Sequence, residues 1–520
     1  MTYLSSGNLI IFIFMDLEGI ILSGQNIGLG SWPARRARLT PDAVALRYGT
    51  REDTYQQLAA RVESLAAGLL ERGISRGDRV AYFGANHPDL LTVLFATSRL
   101  GAITVLLNAR LSPSEIQFMI EDSGASLLVH GSEVHDVVAR VESSLQQELL
   151  SIDVDSAEFE QLLSDTPVPH VPVGMDDPCL LMYTSGTTGQ PKGAVLTHGN
   201  IFFNDINVLI ETDLTSHEVC LAAAPLFHIA GLNGLVLPVF LKGGTIEILS
   251  SFVPETVLEV IRDRGVTCMF GVPAMLDTLS ADDSFTAETL GSLKTVIVGG
   301  APVSQRTLRV WAKHQVDVQQ GYGLTETSPA VLKLSAEDAS EHTGSAGKPQ
   351  FLVDVRLQDP SGNANVDAIV GKILTRGPNV FRKYWNRPDA TDDAFQDDWF
   401  RTGDIASVND DGFYTLKDRS KDMYISGGEN IYPAEIESAL MDLPGITDAA
   451  VIGIDDEKWG EVGRAFVVPA SNTEWTETSV LSALQGRLAR YKQPKSIIFV
   501  EQLPRTSTGK LRKNVLREQA

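Results

Sequence analysis

The sequence predicts an α/β protein. It has a large N-terminal domain of two parallel-type α/β sheet subdomains plus a small β-rich subdomain, followed by a small α+β C-terminal domain. Three observations carry this reading. Through most of the 520 residues, short apolar runs ending in Gly or Pro alternate with amphipathic helical stretches. Alternation of this kind builds parallel sheets covered by helices. From Asp354 the texture shifts to shorter strands punctuated by Gly, Asn and Asp turns, and beyond Lys421 helices and strands mix in a compact tail.

In chain order, residues 1–27 read as an ill-ordered extension. Its apolar run "LIIFIFM" (9–15) is about one-third the length of a spanning helix, with no basic residue before it and Asp16 and Glu18 after it. No integral membrane span and no signal peptide are therefore expected; Met15 is an alternative start, and a membrane-surface anchor the other option. Residues 28–420 form the expected N-terminal domain. Residues 55–84 and 88–108 each read as a helix followed by a strand. Between 178 and 323, "CLLMYT", "VCLAAAPL", "TIEIL", "VTCMFGV", "KTVIVGG" and "VDVQQGYG" read as buried strands. "PETVLEVIRDRG" and "SQRTLRVWAKH" read as helices, the first opened by Pro254. "DVRLQD", "GKILTRG" and "GFYTLKD" supply the β-rich part. In residues 421–520, "PAEIESALMDL" and "VLSALQGRLARY" are the helices and "AAVIGI", "AFVVPA" and "SIIFVEQ" the strands.

The formal charge of −23 excludes a nucleic-acid binder or a general binder of anionic membranes, which need a cationic surface. Any anionic ligand must be held by local groups against that field. Cys179, Cys220 and Cys268 lie far apart in apolar runs, with neither metal spacing nor a disulfide framework. They read as buried thiols of a cytoplasmic protein.

"YTSGTTGQPKG" (183–193) follows a strand, which puts it at the carboxyl end of a parallel sheet, where open α/β folds bind ligands. Gly186, Gly189 and Gly193 let the backbone curl and turn N–H groups outward. Thr184, Ser185, Thr187 and Thr188 add hydroxyls and Lys192 a compact charge, a combination suited to triphosphate oxygens. Gln190 and Pro191 separate Gly189 from Lys192, so this is not a Walker loop. A flexible surface loop would not need hydroxyls and a lysine together.

With its continuation "AVLTHGN", this loop resembles the phosphate loop of the adenylate-forming superfamily, which includes acyl- and aryl-CoA synthetases. Further stretches resemble that superfamily's motifs in the same order: "APLFHIAGL" (224–232), "VGGAP" (298–302), "QGYGLTET" (320–327), "WFRTGDI" (399–405), "DRSKDMYISGGENIYPAEIE" (418–437) and "PRTSTGKLRK" (504–513). Together they span nearly the whole chain. The resemblance implies an ATP-dependent carboxylic acid–CoA ligase, with ATP, Mg²⁺ and coenzyme A as its small-molecule requirements besides the acid. A homodimer is the oligomer left open.

Residue by residue, the resemblance implies the following roles. Thr184, Ser185, Gly186, Thr187, Thr188, Gly189 and Lys192 hold phosphates. Gly300, Ala301, Pro302, Gly321, Tyr322 and Gly323 line the adenine site, where Tyr322 offers a ring face and the glycines permit close approach. Thr325 contacts the α-phosphate, and Glu326 is a hard carboxylate for Mg²⁺. Asp404 and Arg419 serve the ribose. Lys510 is a catalytic lysine on a mobile C-terminal domain, placing an ammonium where charge develops during adenylation. Lys421 is the hinge. Rotation about it replaces Lys510 by Gly427, Gly428 and Glu429, whose glycines let pantetheine pass. His228, with Gly231, lies at the acyl and thiol channel; a neutral imidazole there argues against an α-amino acid. Thr184, His228, Glu326 and Lys510 are the catalytic candidates. Taken alone, Glu326 would read as a surface acid, Asp404 as a turn cap, His228 as a buried structural histidine and Lys510 as a solvated lysine.

"GLGSWPARRARLTP" (28–41) and "LTHGNIFFNDINVLIETDL" (196–214) are most similar to bacterial feruloyl-CoA synthetases, whereas "KDMYISGGENIYPAEIE" is shared equally with fatty acyl-CoA synthetases. The expected acid is a hydroxycinnamate or a fatty acid. Small residues at Gly231, Gly234 and Gly323 leave room for either. A ligase loading a carrier protein and a nucleotide-binding pseudo-enzyme are the rivals. Consumption of free CoA separates the first, and the presence of Lys510, Glu326 and Asp404 argues against the second.

Overall fold

The computed structural model describes residues 25–519 except 146–148, 185–190, 302, 317, 336, 340, 343, 360–368, 420–421, 427–428, 458, 472, 486, 489–491 and 506–510, with the side chains of 418, 419, 429 and 430 also left out. The chain divides into two compact units. The first comprises the described residues up to Glu341 with Pro349–Asp354 and Arg376–Phe395; the second comprises His342–Lys348, Val355–Thr375 and the described residues from Gln396 onward.

The first unit contains two helix-covered sheets. In one, Pro178–Thr184, Ile103–Leu107, Arg79–Phe83, Leu127–His130 and Leu150–Asp153 lie side by side and parallel. Strands covered on both faces must be apolar on both, and every residue of Ile103–Leu107 is buried. Lys192–Thr197 adds to the edge of Pro178–Thr184 antiparallel, and Lys383–Tyr384 adds beyond it. The second sheet runs from Ala330–Lys333 through Val318–Gly323, Thr295–Val298, Cys268–Gly271, Val219–Ala222, Thr245–Ile248 and Val44–Tyr48 to Arg51–Thr54. Its centre is parallel and its Val318–Gly323/Ala330–Lys333 edge antiparallel. The expected strands and helices of this region are all present. Pro254–Arg264 opens on its proline and ends at Gly265, whose φ of +65° suits a residue without Cβ. His198–Glu211 is fixed at its start by a reciprocal cap between Thr197 and Asn200.

In the second unit, Val370–Arg376, Trp399–Val408 and Tyr414–Arg419 form the core of the β-rich sheet. In the C-terminal part, Ile446–Asp456 pairs with Gly460–Pro469, which pairs in parallel with Ser496–Phe499. Helices Pro433–Met441 and Glu477–Leu484 bury Ile436, Leu440, Val480 and Leu484 against it.

Two readings differ from the structure. The stretch 480–491 was expected to be one helix, but the helix is Glu477–Leu484. Gln485 is already extended, with ψ of 131°, and bridges to Leu488. The sequence places Gly486 next, and glycine weakens a helix interior by about 1 kcal/mol. Residues 25–27, assigned to the extension, are held: Ile27 N–H donates to the Val173 carbonyl at 2.9 Å. All three cysteines are buried and free, as expected.

Candidate active site

The first unit gathers four polar side chains at the carboxyl end of Pro178–Thr184. Thr184 is its last residue and pairs in register with Lys192. The Thr184 hydroxyl donates to Glu326 Oε1 at 3.3 Å, and the Tyr384 hydroxyl donates to the same oxygen at 2.8 Å. Lys192 Nζ stands 5.5 Å from the centroid of the Tyr384 ring, within cation–π range. Burial pushes the Tyr384 phenol well up, and the Glu326 charge and its hydrogen bond add to that, so the phenol stays a donor.

Glu326 sits on the one-turn helix Thr325–Thr327 and is 7% exposed. A neighbouring segment clamps this turn. Asn379 Nδ2 donates to the carbonyls of Thr327 and Ala330 at 2.8 and 2.7 Å, and Phe381 N–H donates to the Glu326 carbonyl at 2.8 Å. Among the described residues no donor reaches Glu326 Oε2. A hard carboxylate beside a hydroxyl fits Mg²⁺, which takes one or two carboxylates and leaves its other positions to phosphate and water. Among the described residues no three His, Cys, Asp or Glu side chains converge into a cage that could hold a metal without them.

A cavity lies beside this cluster, lined by Gly234, Phe270, Gly300, Gly321, Tyr322 and Gly323 among others. Gly300 follows the strand Thr295–Val298 with φ of +83°, and Ala301 comes next. Gly323 is required by the backbone itself, because a Cβ would fall 1.6 Å from the Pro329 carbonyl. Gly231 is likewise fixed by the backbone: its Cβ would lie 2.2 Å from the Pro225 carbonyl. His228 precedes the short helix Ile229–Gly231 and the π-helical turn Leu232–Val236, and packs edge-to-face on Phe227 with centroids 4.7 Å apart. Burial, and then the Arg110 charge, push its pKa down to about 4, so the imidazole is neutral at physiological pH.

In the second unit, Asp404 on Trp399–Val408 is 7% exposed and lies opposite Arg419 in register. Glu429 lies opposite Ser426 on Glu429–Ile431. Ser185, Gly186, Thr187, Thr188, Gly189, Pro302, Lys421, Gly427, Gly428 and Lys510 lie outside the described residues. Sequence reading missed Tyr384, since a tyrosine in "FRKYWNRP" carries no local sign of its partner. A second local signal, the "RGPN" turn holding Asn379, was also passed over.

Residues 33–385 match the family model described as AMP-binding enzyme, and 435–510 match the AMP-binding enzyme C-terminal domain. The chain belongs to the AMP-binding enzyme family. Family membership together with its CoA-ligase relatives makes it an ATP-dependent acid–CoA ligase. It is 47% identical to the feruloyl-CoA synthase of an Amycolatopsis species over 95% of this chain and 99% of that one. A long-chain-fatty-acid–CoA ligase of Mycobacterium tuberculosis is 36% identical, with 90% of this chain and 93% of that one covered. Among solved structures, the o-succinylbenzoate CoA synthetase of Bacillus subtilis in complex with ATP and magnesium ion superposes with a TM-score of 0.86 at 33% identity, covering 94% of this chain and 99% of that one. No helix among the described residues is long and apolar enough to cross a membrane.

Proposed function

We propose that this ligase activates a hydroxycinnamate such as ferulate in the cytoplasm. The observation that carries the reading is the 47% identity to feruloyl-CoA synthase over nearly the entire chain, against 36% for the fatty acid ligase. In the first half-reaction a carboxylate oxygen attacks the α-phosphorus of ATP. The bond to the β-phosphate oxygen breaks, giving acyl-adenylate and pyrophosphate. In the second, the CoA sulfur attacks the acyl carbon, AMP leaves with the C–O electron pair, and the thiol proton is released. Adenylation is required because oxide is too poor a leaving group for a thiol to displace.

The residues divide this work. Thr184 and Lys192, with Ser185 to Gly189 between them, hold the phosphates. Glu326 supplies the protein's oxygen ligand to Mg²⁺, whose charge when bound would offset that of the triphosphate. Tyr384 holds the Glu326 carboxylate in place. Tyr322 and Gly300 to Pro302 take the adenine, Thr325 the α-phosphate, and Asp404 with Arg419 the ribose. The neutral His228 stands at the acyl end and offers no counter-charge to an ammonium or a second carboxylate. Lys510 acts in adenylation only; turning about Lys421 then brings Gly427, Gly428 and Glu429 forward for the thiol.

Exchange of labelled pyrophosphate into ATP tests the acid directly. Ferulate and 4-coumarate are expected to exceed octanoate and palmitate in kcat/KM by about tenfold or more. Palmitate ahead of ferulate would establish the fatty-acid reading instead.

A further inference from the structure

The cavity beside Tyr322 carries a polar cluster that the chemistry above does not use. Lys333 ends the strand Ala330–Lys333 and lines the cavity together with Thr212 and Gln350. Lys333 is 7% exposed and Gln350 4%. The Lys333 ammonium donates to the Glu211 carbonyl at 2.9 Å and to the Thr212 hydroxyl. An ammonium has three N–H donors, so one of them has no partner among the described residues. Gln350 buries its Oε1 with no donor to it among the described residues. Much of the remaining lining is glycine, Phe270, Val208 and Ile297. An unspent donor and an unspent acceptor in such a place are costly unless a ligand completes them.

Register places this cluster relative to the reacting end. Lys333 pairs with Gly321, and Ala330 with Gly323. The strand Val318–Gly323 runs toward the Thr325–Thr327 turn that bears Glu326. Lys333 therefore lies two residues further back along that strand than Ala330, about 7 Å at ~3.3 Å per residue.

We propose that Lys333 and Gln350 are specificity-determining residues that bind a hydroxyl group at the end of the acid remote from its carboxylate. The proposal rests on the hydroxycinnamate reading and deepens it. One phenolic hydroxyl completes both groups: its oxygen accepts from the ammonium and its proton goes to the amide oxygen. The terminal methyl of a fatty acid completes neither. Burial pushes the Lys333 amine down to about 8, against the opposing Glu211 charge, so it remains protonated at neutral pH and stays a donor. The alternative is that Lys333 serves only the last carbonyls of the helix His198–Glu211.

The test compares 4-hydroxycinnamate with cinnamate, which lacks only the hydroxyl, by kcat/KM in the wild type, Lys333→Met and Gln350→Leu, with thermal melting to verify folding. The wild type is expected to favour the hydroxylated acid by about tenfold or more, and each variant to bring that ratio toward one. The wild-type ratio needs no variant, so a variant that fails to fold leaves the proposal exposed. Equal wild-type kcat/KM for the two acids overturns this proposal alone. Turnover of neither acid overturns the hydroxycinnamate reading and this proposal with it. Folded variants that lose both acids in proportion, keeping the wild-type ratio, leave Lys333 its helix-end role and overturn the proposal.

Discussion

Replacing Tyr384 by Phe removes one oxygen from the protein and leaves the ring over which Lys192 sits. That oxygen donates to Glu326 Oε1 at 2.8 Å. Hydrogen bonds to charged groups contribute roughly 1.5–3 kcal/mol. Losing it frees a buried carboxylate to rotate away from the oxygen position a cation needs. Partners that orient metal ligands typically cost ten- to a hundredfold in affinity or activity when removed. The Mg²⁺ concentration for half-maximal pyrophosphate exchange should therefore rise about ten- to a hundredfold in Tyr384→Phe, with the rate at saturating Mg²⁺ largely restored. Calorimetric titration of Mg²⁺ into the protein with a non-hydrolysable ATP analogue should show the same weakening without any turnover. A double-mutant cycle with Glu326→Gln should be strongly non-additive, because both changes act on one bond. If Tyr384→Phe only lowers the melting temperature and leaves the Mg²⁺ dependence of both measurements unchanged, the phenol is a packing group and the reasoning fails.

Three further outcomes are expected. Lys510→Ala should lower adenylation about a hundred- to a thousandfold, the cost of one lost transition-state donor, while thioester formation from supplied acyl-adenylate persists; equal loss of both half-reactions would contradict the division of labour. Acid should remove the contribution of His198. His198 accepts from Leu29 N–H at 3.1 Å and is held by burial at about 4. Its stabilising contribution is thus complete above the unfolded value of about 6.5 and is lost as pH falls through about 4, worth up to about 3 kcal/mol. Asp205 titrates with the opposite sign over the same window, so the test is a difference: the melting temperature of the wild type relative to His198→Gln should fall as pH drops from about 6.5 to about 4. Asp205 is fully buried with neither carboxylate oxygen partnered among the described residues, and burial pushes its pKa well up. The native state keeps that proton where the unfolded chain releases it, so stability drains as pH rises above about 4, and Asp205→Asn should melt higher than the wild type at neutral pH. An unchanged or lower melting point would mean that the acid is satisfied in place.

Legibility in the sequence tracked how local each feature is. The strands Pro178–Thr184 and Ile103–Leu107 were readable because burial on both faces forces apolar runs. Thr184 and Lys192 were readable because their loop neighbours share their chemistry, whereas Glu326 and Asp404 were assigned only through the resemblance of the motifs that contain them. The strand Lys192–Thr197 was hidden behind the glycine-dense loop, whose turn chemistry obscured the hairpin that it closes. The hairpin of Val44–Tyr48 with Arg51–Thr54 was passed over because charged residues break its alternation. Tyr384 and Lys333 were illegible for another reason. Their partners lie 58 and 121 residues away, and a tyrosine beside a tryptophan or a lysine at a strand end looks like surface until the fold closes over it.

The most direct measurement of the central claim is the product balance with ferulate, Mg²⁺, ATP and CoA, followed by mass spectrometry. The account predicts one AMP and one feruloyl-CoA for each ferulate consumed, and enzyme-bound feruloyl-adenylate with pyrophosphate when CoA is left out. Formation of the adenylate with no thioester on adding CoA would contradict it, and would point to an acceptor other than free CoA.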